Sequence, residues 1–406
     1  MKTLVFILIL ALGGGFYYYE FVKAPQNQTQ TDSEQNQQSS LGQNPAVVTQ
    51  TPVKPKPQSE SKVGVEQLLS QGYYDKALAL LQKVPEDKRN RTYALNLSHA
   101  LDGAGKKDEA LAVLDKLLKI SSHNLKVETL WAKAEMLENN GQKEASGEVY
   151  YEIFQSYSSS QEYRLAAYKL KDLWKSWLSD SSKDSRMMDY NKVLCAILEN
   201  SLDEGVNEDC YKLLNRINSK LFFSSKAIDG LVVFHTIKYG ESLASIGKMH
   251  NVPPARIARV NNLKNPNAIR SGQTLRVIKG RVKLHINKET FIMHMFIGDL
   301  FYKRFLVGTG KDGRTPSVST RVSRSMAKNP DYTDPITGDL ILAGDKRNPI
   351  GTRWIGLEIG QGYGIHGTVQ PDSVGKQMSK GCIRMRNHEV EELYDYMMFG
   401  DEVIIE

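Results

Sequence analysis

The chain is poor in cysteine, and it lacks both repeated greasy runs and any cluster of metal-ligating side chains. Three cysteines in 406 residues, Cys195, Cys210 and Cys382, are too few for a disulfide framework. Cys195 and Cys210 lie in helical-looking sequence, where buried free thiols are the plain reading; Cys382, in a Gly/Ser-rich turn, needs another explanation. One apolar stretch, Thr3 to Tyr19, approaches membrane length, so a polytopic membrane protein is excluded. The charge balance is ordinary, 53 Lys+Arg against 46 Asp+Glu with 40% hydrophobic residues, which excludes a wholly disordered chain.

What is present begins with that stretch. It is long for a signal-peptide core and slightly short for a spanning helix, and its three closing tyrosines suit a membrane interface. The expected reading is an uncleaved membrane anchor over 1–23 with the rest exported; a cleaved signal is the alternative. Residues 24–62, rich in Gln, Asn, Ser and Thr and ending around Pro52, Pro55 and Pro57, form a flexible linker without apolar periodicity.

Over 63–228 the pattern turns helical and repeats. Gly72 opens a Gly-Tyr-Tyr-Asp-Lys-Ala phrase that recurs in kind at Gly105 and Gly141, spacings of 33 and 36 residues. Each follows an amphipathic run, with Ala77, Ala110 and Ala145 as the small residues that let helices approach. This resembles a tetratricopeptide array, whose period is about 34 residues. The resemblance implies a surface for a protein partner; a spacer is the alternative.

Residues 231–279 change character. They contain eight cations (Lys238, Lys248, Arg256, Arg259, Lys264, Arg270, Arg276, Lys279) against Glu241 alone, so essentially the whole net charge of +7 sits here. A strand from Val232 leads to a helix capped by Ser242 with Leu243, Ile246 and Met249 on one face. Pro253 and Pro254 suit the start of a second helix bearing Ile257 and Val260, and Thr274 to Ile278 reads as a closing strand. This βααβ order, with His235–Val252, Ala258–Leu263 and Ile269–Val277, resembles a LysM domain. The resemblance implies binding of N-acetylglucosamine-containing glycan strands, here peptidoglycan. The charge also reads as a solvated basic surface; nucleic acid is not an expected partner of an exported chain.

The remaining stretch, 280–406, alternates as strands do at Val282–Ile286 and Phe291–Ile297 and closes with a helix and a last strand. It carries His366-Gly367-Thr368, Ser373-Val374-Gly375 and Ser379-Lys380-Gly381-Cys382-Ile383-Arg384-Met385. A thiol with an ordinary pKa of about 8.5 needs a base or cationic surroundings to act at neutral pH. His366 can supply the base, Lys380 and Arg384 the positive field, and Gly381 a sharp turn that aims amides at an oxyanion. Arg384 has a plain reading too, pairing with Glu389 or Glu391.

These strings, with Thr315-Pro316 and Asn348-Pro349-Ile350-Gly351 before them, resemble the catalytic domain of L,D-transpeptidases. The resemblance implies Cys382 as nucleophile and His366 as general base and acid. Arg384 would steady the loop or a substrate carboxylate, amides near Gly381 and Cys382 would form the oxyanion hole, and no metal or organic cofactor would be required. Peptidoglycan stem peptides are the implied substrate. Lys380 departs from the many relatives with His there, and Ser317 from a common Gly. The group that orients His366 stays open between a backbone carbonyl and Ser379. The fold class expected is multidomain α+β: an anchor and linker, all-α repeats, a βααβ module and a mostly-β catalytic domain.

Overall fold

The computed structural model describes residues 64–406 apart from Pro335, Ile336 and Gln361, and omits the side chain of Asn124. The expected anchor (1–23) and linker (24–62) lie outside the described residues. Among the described residues no helix is long and apolar enough to cross a membrane.

The chain divides within one helix into two compact units, ending at Val149 and beginning at Tyr150. The first contains α1 (Val65–Ser70), α2 (Tyr74–Gln82), α3 (Arg91–Gly103), α4 (Lys107–Ile120), α5 (His123–Asn139) and the start of α6 (Lys143–Ser156). Three of these helices end alike. Gly72, Gly105 and Gly141 have φ of 75°, 81° and 78°, which L side chains adopt only with strain. At each, the next amide reaches back to a carbonyl one turn inside the helix: Tyr73 to Leu68, Lys106 to Leu101, Gln142 to Leu137. These are Schellman caps, and they are the physical content of the repeating phrase. Ala77 and Ala110 are fully buried in the next helix. The third phrase is shifted by one residue: Ala145 is exposed, and Ser146 occupies the buried place with its hydroxyl donated to the Ala134 carbonyl.

The second unit opens with the rest of α6, α7 (Gln161–Trp174), α8 (Met187–Asn200) and α9 (Glu204–Phe223). The helical stretch read as one array therefore splits, and its last hairpin belongs to the same unit as the C-terminal β-strands. Burial pushes the Cys195 thiol up to about 12 and Cys210 to about 11, as structural thiols behave.

Next come β1 (Val232–Thr236), α10 (Leu243–His250), α11 (Pro254–Val260) and β2 (Thr274–Ile278), with β1 antiparallel to β2. Ser242 and Ser245 cap α10 reciprocally. Leu243, Ile246, Ile257, Leu275 and Val277 build a small core. Met249 is not in it: expected on the same face as Leu243 and Ile246, it is 61% exposed. Nor is the basic charge all free, because Arg256 is fully buried and Arg259 pairs with Asp395.

The remaining elements are β3 (Val282–Asn287), β4 (Ile292–Ile297), β5 (Leu300–Leu306), β6 (Thr309–Gly310), β7 (Val318–Lys328), β8 (Tyr332–Thr333), β9 (Leu340–Ile341), β10 (Arg353–Leu357), β11 (Gly364–His366), β12 (Gln377–Ser379), β13 (Ile383–Arg384), α12 (Asn387–Tyr396) and β14 (Glu402–Ile405). Eight strands form one sheet in the order β13-β11-β10-β7-β14-β3-β4-β5. Alternate residues of β3 and β4 point inward, Val282, Leu284, Ile286, Met293, Met295 and Ile297 all being buried, the two-residue period of a sheet with one packed face.

The edge strand β5 is covered by helices. Asn191 of α8 accepts the Phe301 amide at 2.9 Å and donates to the Phe301 carbonyl at 3.0 Å. Asn218 of α9 donates to the Tyr302 carbonyl at 2.7 Å. Two side-chain amides thus stand in for a neighbouring strand and satisfy backbone groups an open edge would leave unpaired.

Candidate active site

β11 and β13 lie side by side and parallel, with Ile365 opposite Ile383 and His366 opposite Arg384. Side chains alternate along a strand, so His366 and Arg384 share a face. Cys382 immediately precedes β13 and so lies level with Gly364 of β11, whose amide counters the effect of burial on the thiol. The sulfur and the imidazole therefore come from adjacent strands, two residues out of register, with Arg384 acting electrostatically on both.

The bend carrying the thiol is held from two sides. Gly381 has φ 137°; a Cβ there would lie 3.1 Å from the Tyr363 ring and 3.3 Å from the Arg314 carbonyl. Ser379 Oγ accepts the Gly381 amide at 3.1 Å and donates to the Cys382 carbonyl at 2.5 Å. Thr315 Oγ1 donates to the Gly381 carbonyl at 2.8 Å and accepts the Gly310 amide at 2.7 Å. Both braces are buried. Lys288 Nζ in turn donates to the Thr315 carbonyl and to Ser317 Oγ, which gives the residue at the expected glycine position a partner.

His366 is 4% exposed. Its Nδ1 donates to the Gly367 carbonyl at 2.5 Å, so the carbonyl orients the ring and Ser379 does not. With Nδ1 committed as donor, Nε2 of the neutral ring is the basic nitrogen. Trp354, opposite His366 on β10, stacks on the imidazole with centroids 5.9 Å apart. Beyond the ring, Asn387 Oδ1 accepts the Thr368 amide at 3.1 Å and the Thr352 amide at 3.3 Å.

Electrostatics departs from the sequence reading. Burial lowers the His366 pKa to about 4, with Arg384 acting in the same direction and the Gly367 bond against it. Burial also raises the Cys382 pKa, opposed by the Gly364 amide and by Arg384. The resting pair is therefore a neutral thiol beside a neutral imidazole, and Cys382 Sγ donates to the Gly362 carbonyl at 3.1 Å.

Lys380 does not join the positive field on the sulfur. It is exposed and pairs with Asp334 at 3.4 Å. Arg384 stands apart from the expected acidic partners, since Glu389 pairs with Arg386 at 3.7 Å. The structure brings together Cys382, His366, Arg384, Gly381 and Ser379. Thr315, Trp354, Gly364 and Asn387 complete the surroundings; Thr315 belongs to the Thr315-Pro316 motif, whereas no local pattern marks Trp354, Gly364 or Asn387, whose contacts with the site are long-range. A cleft of about 500 Å³ opens between Thr368, Arg386, His388 and Lys346, beyond the ends of β11 and β13. Neither Cys382 nor His366 lines it, so it is a neighbouring surface and not the thiol's own pocket.

Comparison with known proteins assigns the two C-terminal modules to families. The YkuD family, described as the L,D-transpeptidase catalytic domain, matches residues 281–405, and the LysM domain family matches 235–277. YqjB of Bacillus subtilis (strain 168), which bears the L,D-transpeptidase name, is 38% identical over 125 residues, 30% of this chain and 68% of that protein. The chain belongs to the L,D-transpeptidase family. YkuD of Bacillus licheniformis, bearing the same name, is 27% identical over 186 residues, 43% of this chain and 99% of the relative. Among solved structures, L,D-transpeptidase 3 from Mycobacterium tuberculosis is similar at 12% identity and a TM-score of 0.27, over 34% of this chain and 75% of that one.

Proposed function

We propose that the chain is an L,D-transpeptidase of the bacterial cell envelope that docks on the wall through its LysM module and works by a cysteine thioester. The supporting observation is the thiol of Cys382 on a doubly braced glycine bend, one strand away from an imidazole whose Nδ1 is already committed.

The thiol proton passes to His366 Nε2 as the sulfur leaves the Gly362 carbonyl and attacks the carbonyl of the third stem residue. A C–S bond forms and the carbonyl becomes an oxyanion. The Gly381 amide is held by Ser379, so the amide of Cys382 itself is the donor assigned to that oxygen. His366 returns the proton to the departing D-Ala nitrogen, the C–N bond breaks, and a thioester remains. An amine of a second stem or of a protein then attacks, restoring the thiol and leaving a 3→3 cross-link or an attached protein. Arg384 offsets charge on the sulfur. LysM would hold N-acetylglucosamine-containing strands, the tetratricopeptide-like hairpins a protein partner, and the apolar segment within 1–23 a membrane.

The test is mass spectrometry of disaccharide tetrapeptides incubated with the protein. Dimers with 3→3 linkage support the proposal. Tripeptides alone would make it an L,D-carboxypeptidase with the same thiol, and unchanged substrate with wall binding intact would make it a scaffold. Cys382→Ala and His366→Ala are each expected to abolish turnover; tetrapeptide processing by Cys382→Ala at the wild-type rate overturns the mechanism.

A further inference from the structure

The LysM module is fastened to the catalytic domain through an ionic side chain. Arg256 of α11 is fully buried. Its guanidinium donates to Gly280 at 2.7 Å, to Ile278 at 3.4 Å and to Tyr396 at 2.5 Å, all backbone carbonyls. Ile278 ends the module's last strand, Gly280 is in the junction, and Tyr396 ends α12 of the catalytic domain. The Tyr396 ring lies 5.5 Å from the guanidinium, and its hydroxyl bonds Tyr302 of β5 at 2.6 Å.

Beside this, Arg259 grips Asp395 through Nη2 at 2.6 Å and Nε at 2.8 Å. The preceding helix is tied in as well: Arg276 Nη2 donates to the Ser224 carbonyl at 2.7 Å, its guanidinium near the rings of Phe223 and Phe234. The module is therefore held both to the segment that precedes it and to the domain that follows it. Burying a guanidinium is costly, and apolar residues of similar volume would hold two surfaces together at least as well. A planar fork on fixed carbonyls adds direction, which a greasy contact lacks. Tyr239, 97% exposed, and Met249 remain outward on the same module, clear of the α11–α12 contact.

We propose that Arg256 is a positioning residue which makes LysM a fixed guide, so that a docked glycan strand presents its stem peptides to Cys382 at a set spacing. The proposal rests on the transpeptidase reading of the site. A stem at that spacing gains from an intramolecular encounter, and other stems do not.

The experiment measures turnover by the full chain of a disaccharide tetrapeptide and of defined-length glycan strands bearing the same stems, together with wall pull-down. Two variants are compared with wild type: Arg256→Met, and Arg259→Ala carrying about eight flexible Gly/Ser residues between Lys279 and Gly280. In both, the ratio of strand to monomer turnover is expected to fall about ten- to hundredfold, with monomer turnover and pull-down within about twofold of wild type. An unchanged ratio overturns the proposal. Should Arg256→Met fail to melt cooperatively, the insertion variant decides alone. A wild-type chain inactive on monomer and strand alike sinks the transpeptidase reading instead, whereas one active on both with a ratio near unity sinks only the guide.

Discussion

Asn191 and Phe301 bond each other twice, the carboxamide of a helix matching both polar groups of one residue on the sheet edge. The pairing seals β5 and fastens the last helical hairpin to the catalytic sheet. Asn191→Leu leaves a buried N–H and C=O without partners, and each such loss costs about 1–3 kcal/mol. The expected outcome is a drop of about 2–6 kcal/mol in unfolding free energy, read from guanidinium midpoints at unchanged slope.

Cys382 and His366 are both shifted toward their neutral forms. Alkylation of Cys382 by iodoacetamide is expected to climb without a plateau past about pH 8.5, the ordinary thiol value. Acyl transfer should lack an inflection near the usual imidazole value and weaken only toward pH 4, where His366 takes up its proton. An inflection between about 6 and 7 would instead assign a resting thiolate–imidazolium pair.

Ser379 ties the Gly381 amide to the Cys382 carbonyl. Ser379→Ala releases both bonds at once and lets the bend relax. Single-turnover acylation, followed by intact mass, is expected to slow about ten- to hundredfold, since small misplacements of reacting groups have costs of that order. Denaturation with a normal midpoint would separate this from unfolding.

Lys380 and Arg384 flank the same cysteine with different consequences. Lys380 is exposed and engaged with Asp334, a kind of pair worth about 0–1 kcal/mol. Lys380→Ala should change the alkylation rate of Cys382 by less than about twofold. Arg384→Met removes the charge that counters burial at the sulfur and should move the alkylation profile to higher pH.

His294, bonded through Nε2 to the Tyr211 hydroxyl at 2.6 Å, is held neutral by burial, its pKa lowered to about 4. The unfolded chain takes up that proton near pH 6.5 and the folded chain near 4. Its contribution is therefore complete above about 6.5 and lost as pH falls through 4, amounting to about 3 kcal/mol at most. Thermal melts from pH 7 to pH 4 should show a steeper fall for wild type than for His294→Gln.

Much of the architecture is legible in local pattern. The Gly72, Gly105 and Gly141 phrases mark helix ends because only a left-handed residue closes a Schellman cap, and Ser242 announces α10 by its hydroxyl. Cys382 stands out in the sequence because few purposes put a thiol in a glycine-punctuated turn, and strand pairing sets it beside the strand that carries His366. The rest depends on distance in sequence. Nothing near Asn191 says that a strand about a hundred residues later needs a partner. Nothing near Arg256 says that its charge will vanish into a domain boundary, and a count of cations overreads the basic character of that segment for this reason. Lys380 looks cationic toward Cys382 in sequence, but the hairpin that supplies Asp334 draws it away. The helical period assigns Met249 to a face that the short module lacks the volume to bury.

The position of β14 sets an order on assembly. It runs parallel to β3 on one side and antiparallel to β7 on the other, so it is the keystone between two half-sheets. Every element of the half that carries β11 and β13, and every element of the half that adjoins LysM, is synthesised before the strand that unites them. A nick between α12 and β14 would leave the half that carries β11 and β13 and the half made of β3, β4 and β5 each with a bare edge. The last strand of the chain is thus the one that joins the two halves of the catalytic sheet into a continuous surface.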